Sequence, residues 1–411
     1  MSQWKRQTLL AASLAVLGTL ALGPLGHQRA AWAQNLTSSK LNLVYVNGNI
    51  PGTNMNAVYG YSNDGKGNLT TLPGSPYLTD GSGVGAGGGS DHQWDADQEI
   101  VVNPEATLLF AVNADSNTVA SFSINTDGSL APAPGSPAPS GGQEPISLAF
   151  KDNAFGTGSS LMVVVNKNSD PLQGGGVPNY VTFTVDTAGT MTKNAGSTYN
   201  LPAGSSPGQA LIVPGENKFF GLEFLNATIS TYSVSTKGLV TQVSTTTPPV
   251  SPPYIVGGVL DPKFKSTLYV GLPAANQVVA YSFNSKGVLT FVKNVADQGQ
   301  AVCWLTTNGA GTRLYSAETA SGTLTVWNIG TPSNPTQLQH MTLAAINGAA
   351  ALPTSMAFDT TGHFLYVVDR NGATHVLTVA SGGTVTETIS PVIMEGLPAG
   401  TVPLGVAAFA K

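Results

Sequence analysis

A short, mostly apolar segment recurs seven times along the chain. Each copy has five residues, and all but one end in Asn, Asp or Glu, here called the closing residue. The copies begin at Leu43, Leu109, Met162, Phe219, Leu268, Leu314 and Leu365. Successive copies are 46 to 66 residues apart. Short apolar segments of this kind are typical of buried β-strands, so the chain is predicted to repeat one all-β unit seven times.

The fifth repeat shows four strand-like segments most plainly, at residues 254–260, 267–271, 277–283 and 288–293. The third of them alternates in a period of two, which predicts a half-buried strand. Residues 284–287 form a turn before the fourth segment, and Gly287 tolerates the positive φ that such a turn requires. A period near fifty residues built from four short strands predicts a β-propeller with seven four-stranded antiparallel blades.

The two ends of the chain complement each other. The first repeat begins at its second strand, near Leu43, whereas residues 402–410 resemble a first strand with nothing after it. Placing 402–410 beside 42–47 in the first blade would close the ring and remove an open edge. The interpretation is a single propeller domain over residues 34–411.

Residues 1–33 are predicted to be a secretory signal peptide. Lys5 and Arg6 precede an apolar run at 8–25, and Ala31, Trp32 and Ala33 form a small-x-small cleavage site. The run is too short and too interrupted for a membrane span. We therefore expect a periplasmic or extracellular protein with no transmembrane segment after cleavage.

Charge and cysteine content exclude several classes. Removing Lys5, Arg6 and Arg29 with the signal changes the net charge from −5 to about −8. No basic cluster suits nucleic acid. Cys303 is the one cysteine, so no intramolecular disulfide can form, and its apolar neighbours predict a buried side chain.

The repeats resemble the lactonase-type seven-bladed propellers with YVTN-type repeats, the group of 6-phosphogluconolactonases of this fold and muconate-lactonizing enzymes. The resemblance is carried by residues 128–130 with 134–137, 67–70 with 73–76, and 353–367. It covers the whole mature chain and implies a lactonase-like hydrolase.

One segment, 222–229, is similar to the family segment whose glutamate faces the channel, which implies a catalytic role for Glu223. The family's Pro-Arg-His and Pro-His-x-His elements would fall at 206–209 and 144–147. Arg and His are missing from both places. His92 lies near a predicted first strand one blade earlier and is the second candidate base.

The closing residues are predicted to form a ring near one mouth of the channel: Asn47, Asn113, Asn166, Glu223, Leu272, Glu318 and Asp369. Crowded carboxylates there would suit general acid–base chemistry, and their oxygens would suit a divalent cation such as Ca²⁺. The alternative is that these side chains cap the turns that follow each strand. Arg370 follows Asp369 and either holds a substrate anion or pairs with Asp369 at the surface.

A second polar cluster precedes the second repeat, with His92, Trp94, Asp95, Asp97 and Glu99. It would supply a base with an orienting carboxylate, metal ligands, or only a solvated loop, and Trp94 would stack on a ligand or anchor that loop. His340, His363 and His375 are interpreted as structural.

Two functions stay open at this point. The first is an exported lactone hydrolase with Glu223 or His92 as base, and with Arg370, Asp369, Glu318, Trp94, Asp95 and Asp97 as substrate-binding residues. The second is a non-catalytic binding or scaffold propeller of the cell envelope. The expected partners are a small-molecule lactone or carbohydrate-like ligand, or an envelope protein.

Overall fold

The computed structural model describes residues 40–84, 96–168 and 176–411. Residues Lys40–Lys411 belong to one compact unit of seven antiparallel sheets, so the predicted seven-bladed all-β propeller is confirmed. The predicted signal peptide lies outside the described residues. No helix among the described residues is long and apolar enough to cross a membrane.

Each sheet is one blade. Blade 1 contains β1 (Asn42–Asn47), β2 (Ala57–Asn63), β3 (Leu69–Thr71), β4 (Tyr77–Leu78) and β32 (Leu404–Ala410). Blade 2 contains β5 (Ile100–Val102), β6 (Leu108–Asn113), β7 (Thr118–Ile124), β8 (Leu130–Pro132) and β9 (Ala138–Pro139). Blade 3 contains β10 (Pro145–Lys151), β11 (Ser159–Asn166), β12 (Asn179–Asp186), β13 (Met191–Lys193) and β14 (Tyr199–Asn200).

The other four blades follow in chain order. Blade 4 contains β15 (Pro207–Ile212), β16 (Lys218–Glu223), β17 (Thr228–Val234) and β18 (Val240–Thr246). Blade 5 contains β19 (Gly258–Leu260), β20 (Thr267–Leu272), β21 (Gln277–Phe283) and β22 (Leu289–Ala296). Blade 6 contains β23 (Val302–Thr307), β24 (Arg313–Glu318), β25 (Thr323–Asn328) and β26 (Thr336–Thr342). Blade 7 contains β27 (Pro353–Phe358), β28 (Phe364–Asp369), β29 (Ala373–Val379), β30 (Val385–Thr386) and β31 (Val392–Ile393).

The C-terminal strand closes the ring as predicted. β32 pairs antiparallel with β1, so the first strand of blade 1 comes from the other end of the chain. Leu41 and Lys411 extend the pairing with two reciprocal backbone hydrogen bonds of 2.9 Å each. The Lys411 ammonium also donates to the carbonyl of Ala106 in blade 2, at 3.1 Å. The closing strand therefore joins the first two blades.

The third strand of blade 5 is buried on both faces, so the predicted half-buried strand was wrong. Val278 and Ala280 pack against Val302 and Leu314 of blade 6. On the opposite face, Val279 and Tyr281 pack in the cluster that contains Phe220 and Leu222 of blade 4. The reason is that every blade is sandwiched between two neighbours, and apolar residues are required on both faces.

Hydrogen bonds between blades accompany this packing. In four cases, a hydroxyl of one blade donates to the carbonyl of the glycine in the turn that precedes the outer strand of the next: Thr182 to Gly238, Thr231 to Gly287, Tyr315 to Gly383, and Tyr45 to Gly128. These glycines have φ between 78° and 86°, a region that favours glycine. From the sequence, residues 284–287 were predicted to form such a turn, but not its hydrogen bond to the neighbouring blade.

We predict that Gly287→Ala destabilises the propeller more than Gly215→Ala. Both glycines have a φ near 80°, so each substitution costs roughly 1–2 kcal/mol in backbone strain. A Cβ at Gly287 would lie 2.5 Å from Thr231 Cγ2, which is buried, whereas nothing lies within 4 Å of one at Gly215. Overpacking should add about 1–3 kcal/mol at Gly287 only. Urea unfolding measures the difference, and equal losses would contradict the proposed contact.

Candidate functional site

A cavity of about 600 Å³ lies over blades 4 to 7 and is here called the blade 4–7 cavity. It is formed by the loops between the second and third strands and by the segments that lead into the first strands. Its wall is mainly apolar, and Arg370 is its charged member. The lining residues are Phe224, Leu225, Tyr254, Pro273, Ala274, Ala301, Cys303, Thr319, Ala320, Leu352 and Arg370.

The residue after each closing residue faces this cavity. Phe224, Pro273, Thr319 and Arg370 follow the closing residues of blades 4, 5, 6 and 7, and all four line the wall. Successive side chains of a strand point to opposite sides, so the closing residue itself points elsewhere. The residues that face the cavity therefore come one position after the closing residues, for which the sequence predicted this role.

Backbone hydrogen bonds hold these cavity residues in place. Except for Pro273, which has no amide hydrogen, the amide of each donates to the carbonyl of a residue just before the first strand of its own blade: Phe224 to Ser206 at 3.0 Å, Thr319 to Ala301 at 3.2 Å, and Arg370 to Leu352 at 3.1 Å. In blade 3 the equivalent residue, Lys167, donates in the same way to Glu144 at 2.8 Å. Glu144, Ser206 and Ala301 have positive φ, an unusual conformation for residues other than glycine. The same backbone contact in successive repeats thus positions the residues of the cavity wall.

The segment 96–99 lies at the centre of the ring. Its contacts with the first strands of blades 3, 4, 6 and 7 are these: Leu148 N to Gln98 O, 2.9 Å; Asp97 N to Gly208 O, 3.2 Å; Trp304 Nε1 to Ala96 O, 2.6 Å; and Ser355 Oγ to Glu99 Oε2, 3.4 Å. Only a segment on the axis can reach so many blades. Asp97, predicted to bind substrate, is therefore central.

The carboxyls of Asp97 and Glu99 in this segment lie in surroundings that disfavour their ionised forms. Burial raises the pKa of Asp97 to about 7. Burial, together with the charge of Asp97, raises the pKa of Glu99 well above its ordinary value, and Lys167 only partly opposes this. A carboxyl with a pKa near neutrality can exchange a proton at working pH, as a general base or acid must.

Trp304 connects the central segment to the cavity. Its Nε1 donates to the Ala96 carbonyl, and the guanidinium of Arg370 lies 5.4 Å from its ring centroid. A second cation, the buried Lys167, has its Nζ 5.7 Å from the ring centroid of Phe224. Lys167 was missed in the sequence, although it follows Asn166 just as Arg370 follows Asp369. Both arrangements are cation–π contacts next to the same apolar wall.

Glu223 lines a different cavity. It belongs to a groove of about 380 Å³ whose wall includes Tyr199 of blade 3 and Gln242 of blade 4. Its carboxylate accepts hydrogen bonds from Asn226 and Thr228, both at 2.9 Å, and from the Tyr232 hydroxyl at 3.0 Å. The structure therefore does not bring Glu223 and Arg370 into one pocket. His92, Trp94 and Asp95 lie outside the described residues.

The remaining closing residues bond inside or between blades. Asn56 Nδ2 joins Asn47 Oδ1 and Asn113 Oδ1, at 3.1 and 2.8 Å. Asn166 donates to Asn179 Oδ1 at 2.9 Å. Asp369 is buried and bonds to His375 Nε2 at 3.1 Å, so it does not form the expected surface pair with Arg370. These contacts resemble the turn-capping alternative more than a convergent ring.

Glu318 belongs to the one metal-compatible group found among the described residues. Ligand atoms of Glu318, Asp297 and His340 lie within 4.8 Å of one another. Glu318 Oε1 accepts from Ser316 at 2.6 Å, and Thr325 Oγ1 bridges Asp297 Oδ1 and His340 Nδ1 at 2.9 and 2.8 Å. Two carboxylates and an imidazole could hold a divalent cation.

Comparison with known proteins confirms the resemblance to lactonase-type propellers. The family model described as "Lactonase, 7-bladed beta-propeller" matches residues 226–372, which run from the cavity loop of blade 4 to that of blade 7. No curated protein matches the chain by sequence at a significant level.

Several solved structures share the fold over nearly their whole length. A periplasmic gluconolactonase from Pseudomonas aeruginosa is 15% identical, with a TM-score of 0.68, and the match covers 90% of this chain and 99% of that one. A candidate 6-phosphogluconolactonase from Bacteroides fragilis is 14% identical, with a TM-score of 0.67 and coverages of 91% and 99%. A Lactobacillus plantarum protein is 14% identical, with a TM-score of 0.68 and coverages of 90% and 99%. At these identities the likeness establishes the fold.

We predict that Asp97→Asn stabilises the protein at pH 8 and weakens its pH dependence between about pH 4 and 7. The folded-state pKa of Asp97 lies near 7, above that of an unfolded Asp near 3.9, so the wild type should lose stability as the pH rises through this window. An amide has no proton to lose. Thermal unfolding at pH 4, 6 and 8 measures the effect, with Glu395→Gln, at an exposed site, as control. Parallel curves for Asp97→Asn and the wild type would contradict the prediction.

Proposed function

We propose that this propeller, which resembles the lactonase-type family, is an exported lactone hydrolase acting in the blade 4–7 cavity at the mouth of the central channel. One observation carries the proposal. Trp304 donates to the carbonyl of Ala96, next to Asp97 with its raised pKa, and its ring contacts Arg370 in the wall of an apolar cavity. An apolar pocket with few polar groups suits a small ligand. A base and a cation are what ester hydrolysis requires.

The chemistry would proceed as follows. Asp97, ionised above about pH 7, takes a proton from a water molecule, and that water attacks the lactone carbonyl carbon. Arg370 donates hydrogen bonds to the oxyanion that develops on the carbonyl oxygen. When the tetrahedral intermediate collapses, the ring C–O bond breaks and the leaving alkoxide takes the proton back from Asp97. The product is a hydroxycarboxylic acid, which releases its acid proton to water, and Arg370 and Lys167 would bind the resulting hydroxycarboxylate by charge.

The cavity also suggests the substrate class. Phe224, Tyr254, Leu225 and Leu352 offer apolar surface, whereas Arg370 is the charged member of the wall. This composition favours a lactone with an apolar body over a sugar phosphate, whose charge would call for several cations. The proposed export is consistent with this preference, because sugar phosphates are intracellular metabolites.

Three further assignments belong to the proposal. His92 precedes the central segment in sequence and is an alternative base, with Trp94 and Asp95 as neighbouring binding residues. Asp297, Glu318 and His340 would hold a divalent cation that accepts an imidazole ligand, such as Zn²⁺, rather than the Ca²⁺ expected from the sequence, which prefers oxygen ligands. That group lies within blade 6 and in the loop that leads into it, so we expect a cation there to stabilise the fold rather than to activate water.

A non-catalytic binding propeller is the second candidate. It is favoured by the wall of the cavity, whose described lining residues include no carboxylate and no histidine. The same apolar surface with Arg370 would then retain an apolar anion without converting it. The partner of such a propeller at the cell envelope would be a protein that delivers this ligand or receives it.

We predict that the chain from Gln34 onward hydrolyses apolar lactones and that two substitutions test the roles of the base and of the oxyanion donor. Asp97→Asn should lower kcat by about 10²- to 10⁴-fold, the usual contribution of a general base. Arg370→Ala should lower kcat by about 10²- to 10³-fold, because it removes the donor to the oxyanion that develops in the transition state. A pH-stat assay over sugar, aliphatic and aromatic lactones, with Ca²⁺ or a chelator, measures both.

The same assay discriminates the alternatives. Loss of turnover in Glu223→Gln but not in Asp97→Asn would move the reaction to the groove between blades 3 and 4. Loss in His92→Ala alone would make His92 the base. Well-folded protein that binds lactones but turns over none would favour the binding propeller.

A further inference from the structure

Blade 7 contains a buried histidine between two acids. His375 lies on β29, and its ring and the carboxyl of Asp369 have no solvent-exposed surface. Nε2 is 3.1 Å from Asp369 Oδ2, and Nδ1 is 2.6 Å from Glu387 Oε1. Ionised carboxylates only accept hydrogen bonds, so both ring nitrogens must carry protons when the two acids are charged. The geometry therefore corresponds to an imidazolium flanked by two carboxylates.

The two acids tie this ring to the cavity wall. Asp369 Oδ2 accepts from the amide of Leu352 at 2.7 Å, and Oδ1 accepts from the amide of Asn371, also at 2.7 Å. Arg370 stands between these contacts, and its own amide donates to the carbonyl of Leu352 at 3.1 Å. Leu352 and Arg370 both line the blade 4–7 cavity. The position of the Arg370 loop thus depends on the ionised Asp369 that His375 holds.

Glu387 fixes the other side of the same segment. Its Oε2 accepts from the amide of Ala344 at 2.7 Å, at the start of the chain that leads to Leu352. Residues 344–352 contain no ionisable side chain, and the facing core of blades 6 and 7 is apolar, with Leu324, Leu343, Ala351 and Leu377. Asp369 and Glu387 are therefore the charged groups that surround His375 among the described residues. Glu387 also lines a surface pocket of about 410 Å³.

We propose that His375 is a positioning residue: its charged ring, held between Asp369 and Glu387, keeps Arg370 in the wall of the blade 4–7 cavity and so controls anion binding there. Deprotonation would leave two buried carboxylates with a neutral partner, a costly state that is relieved when the loop opens to water. The inference rests on the proposed function only in taking the ligand to be an apolar anion.

The pH at which this happens follows from the surroundings. Burial by itself would lower the pKa of His375, but the hydrogen bonds to Asp369 and Glu387 outweigh it and raise the pKa to about 9. Because the folded-state pKa lies above the unfolded one, the contribution to stability is complete below about pH 6.5 and disappears as the pH rises through about 9. The cavity is thus expected to be formed at neutral pH and loosened in alkaline solution.

The test uses anilinonaphthalene sulfonate, an apolar probe with one negative charge, titrated against the chain from Gln34 onward at pH 6.5 to 10. Arg370→Ala should abolish saturable binding, which locates the probe in the cavity. For the wild type we expect an affinity that falls several-fold as the pH passes about 9. In His375→Gln the affinity should be weaker and nearly independent of pH. In Glu387→Gln the fall should occur at lower pH, because one of the two carboxylates that favour the imidazolium is gone.

The controls separate this role from a merely structural one. The Cys303 thiol also lies in the cavity wall, so Cys303→Ala must keep the fall with pH. A generally weakened fold would lower the unfolding temperature without moving the pH midpoint. If His375→Gln does not fold, the test is whether the fall in probe affinity occurs at lower pH in Glu387→Gln than in the wild type.

The proposal is overturned if the wild-type affinity stays constant to pH 10, or if His375→Gln keeps the same fall. The outcome is independent of catalysis. Protein that turns over no lactone can still show the His375-dependent binding curve, and an active lactonase can lack it.

Discussion

Each blade buries both of its faces against two neighbours, and every other feature of the molecule depends on this packing. The second and third strands are apolar on both sides, as in β20 and β21 of blade 5. Sheets stacked in this way are stable only if the ring has no open end, and β32 supplies the strand that blade 1 lacks. Four hydroxyl-to-glycine hydrogen bonds also join a blade to the turn before the outer strand of the next blade.

The candidate site follows from the same repetition. Because successive side chains alternate across a strand, a polar closing residue that bonds within its blade is followed by one that faces the centre. Phe224, Pro273, Thr319 and Arg370 occupy equivalent positions in four repeats, so they share a framework but differ in chemistry. The central segment 96–99 occupies the axis and brings two carboxyls against these first strands.

Several ionisable groups are buried or half-buried in this charge-poor chain. Asp97 and Glu99 lie at the centre, Lys167 lies under the wall, and Asp369, His375 and Glu387 lie in blade 7. Burying charge costs free energy unless partners compensate, so groups kept in such positions are reasonable places to look for function. Two of these clusters touch the cavity through Trp304 and through Leu352, which links the proposed chemistry to its proposed control.

The sequence by itself determined the all-β repeat, the number of blades, the ring closure by residues 402–410 and the burial of Cys303. These features can be read from the sequence because they depend on the spacing of apolar segments and on the mismatch between the two chain ends. It also singled out Asp97 and Arg370. Only the tertiary structure decided which way each polar residue points: Glu223 enters a groove between blades, and Asp369 turns to His375. The physical reason is that one residue of offset reverses a side chain, and contacts such as Trp304 with Ala96, or His375 with Glu387, join positions whose spacing along the chain carries no pattern.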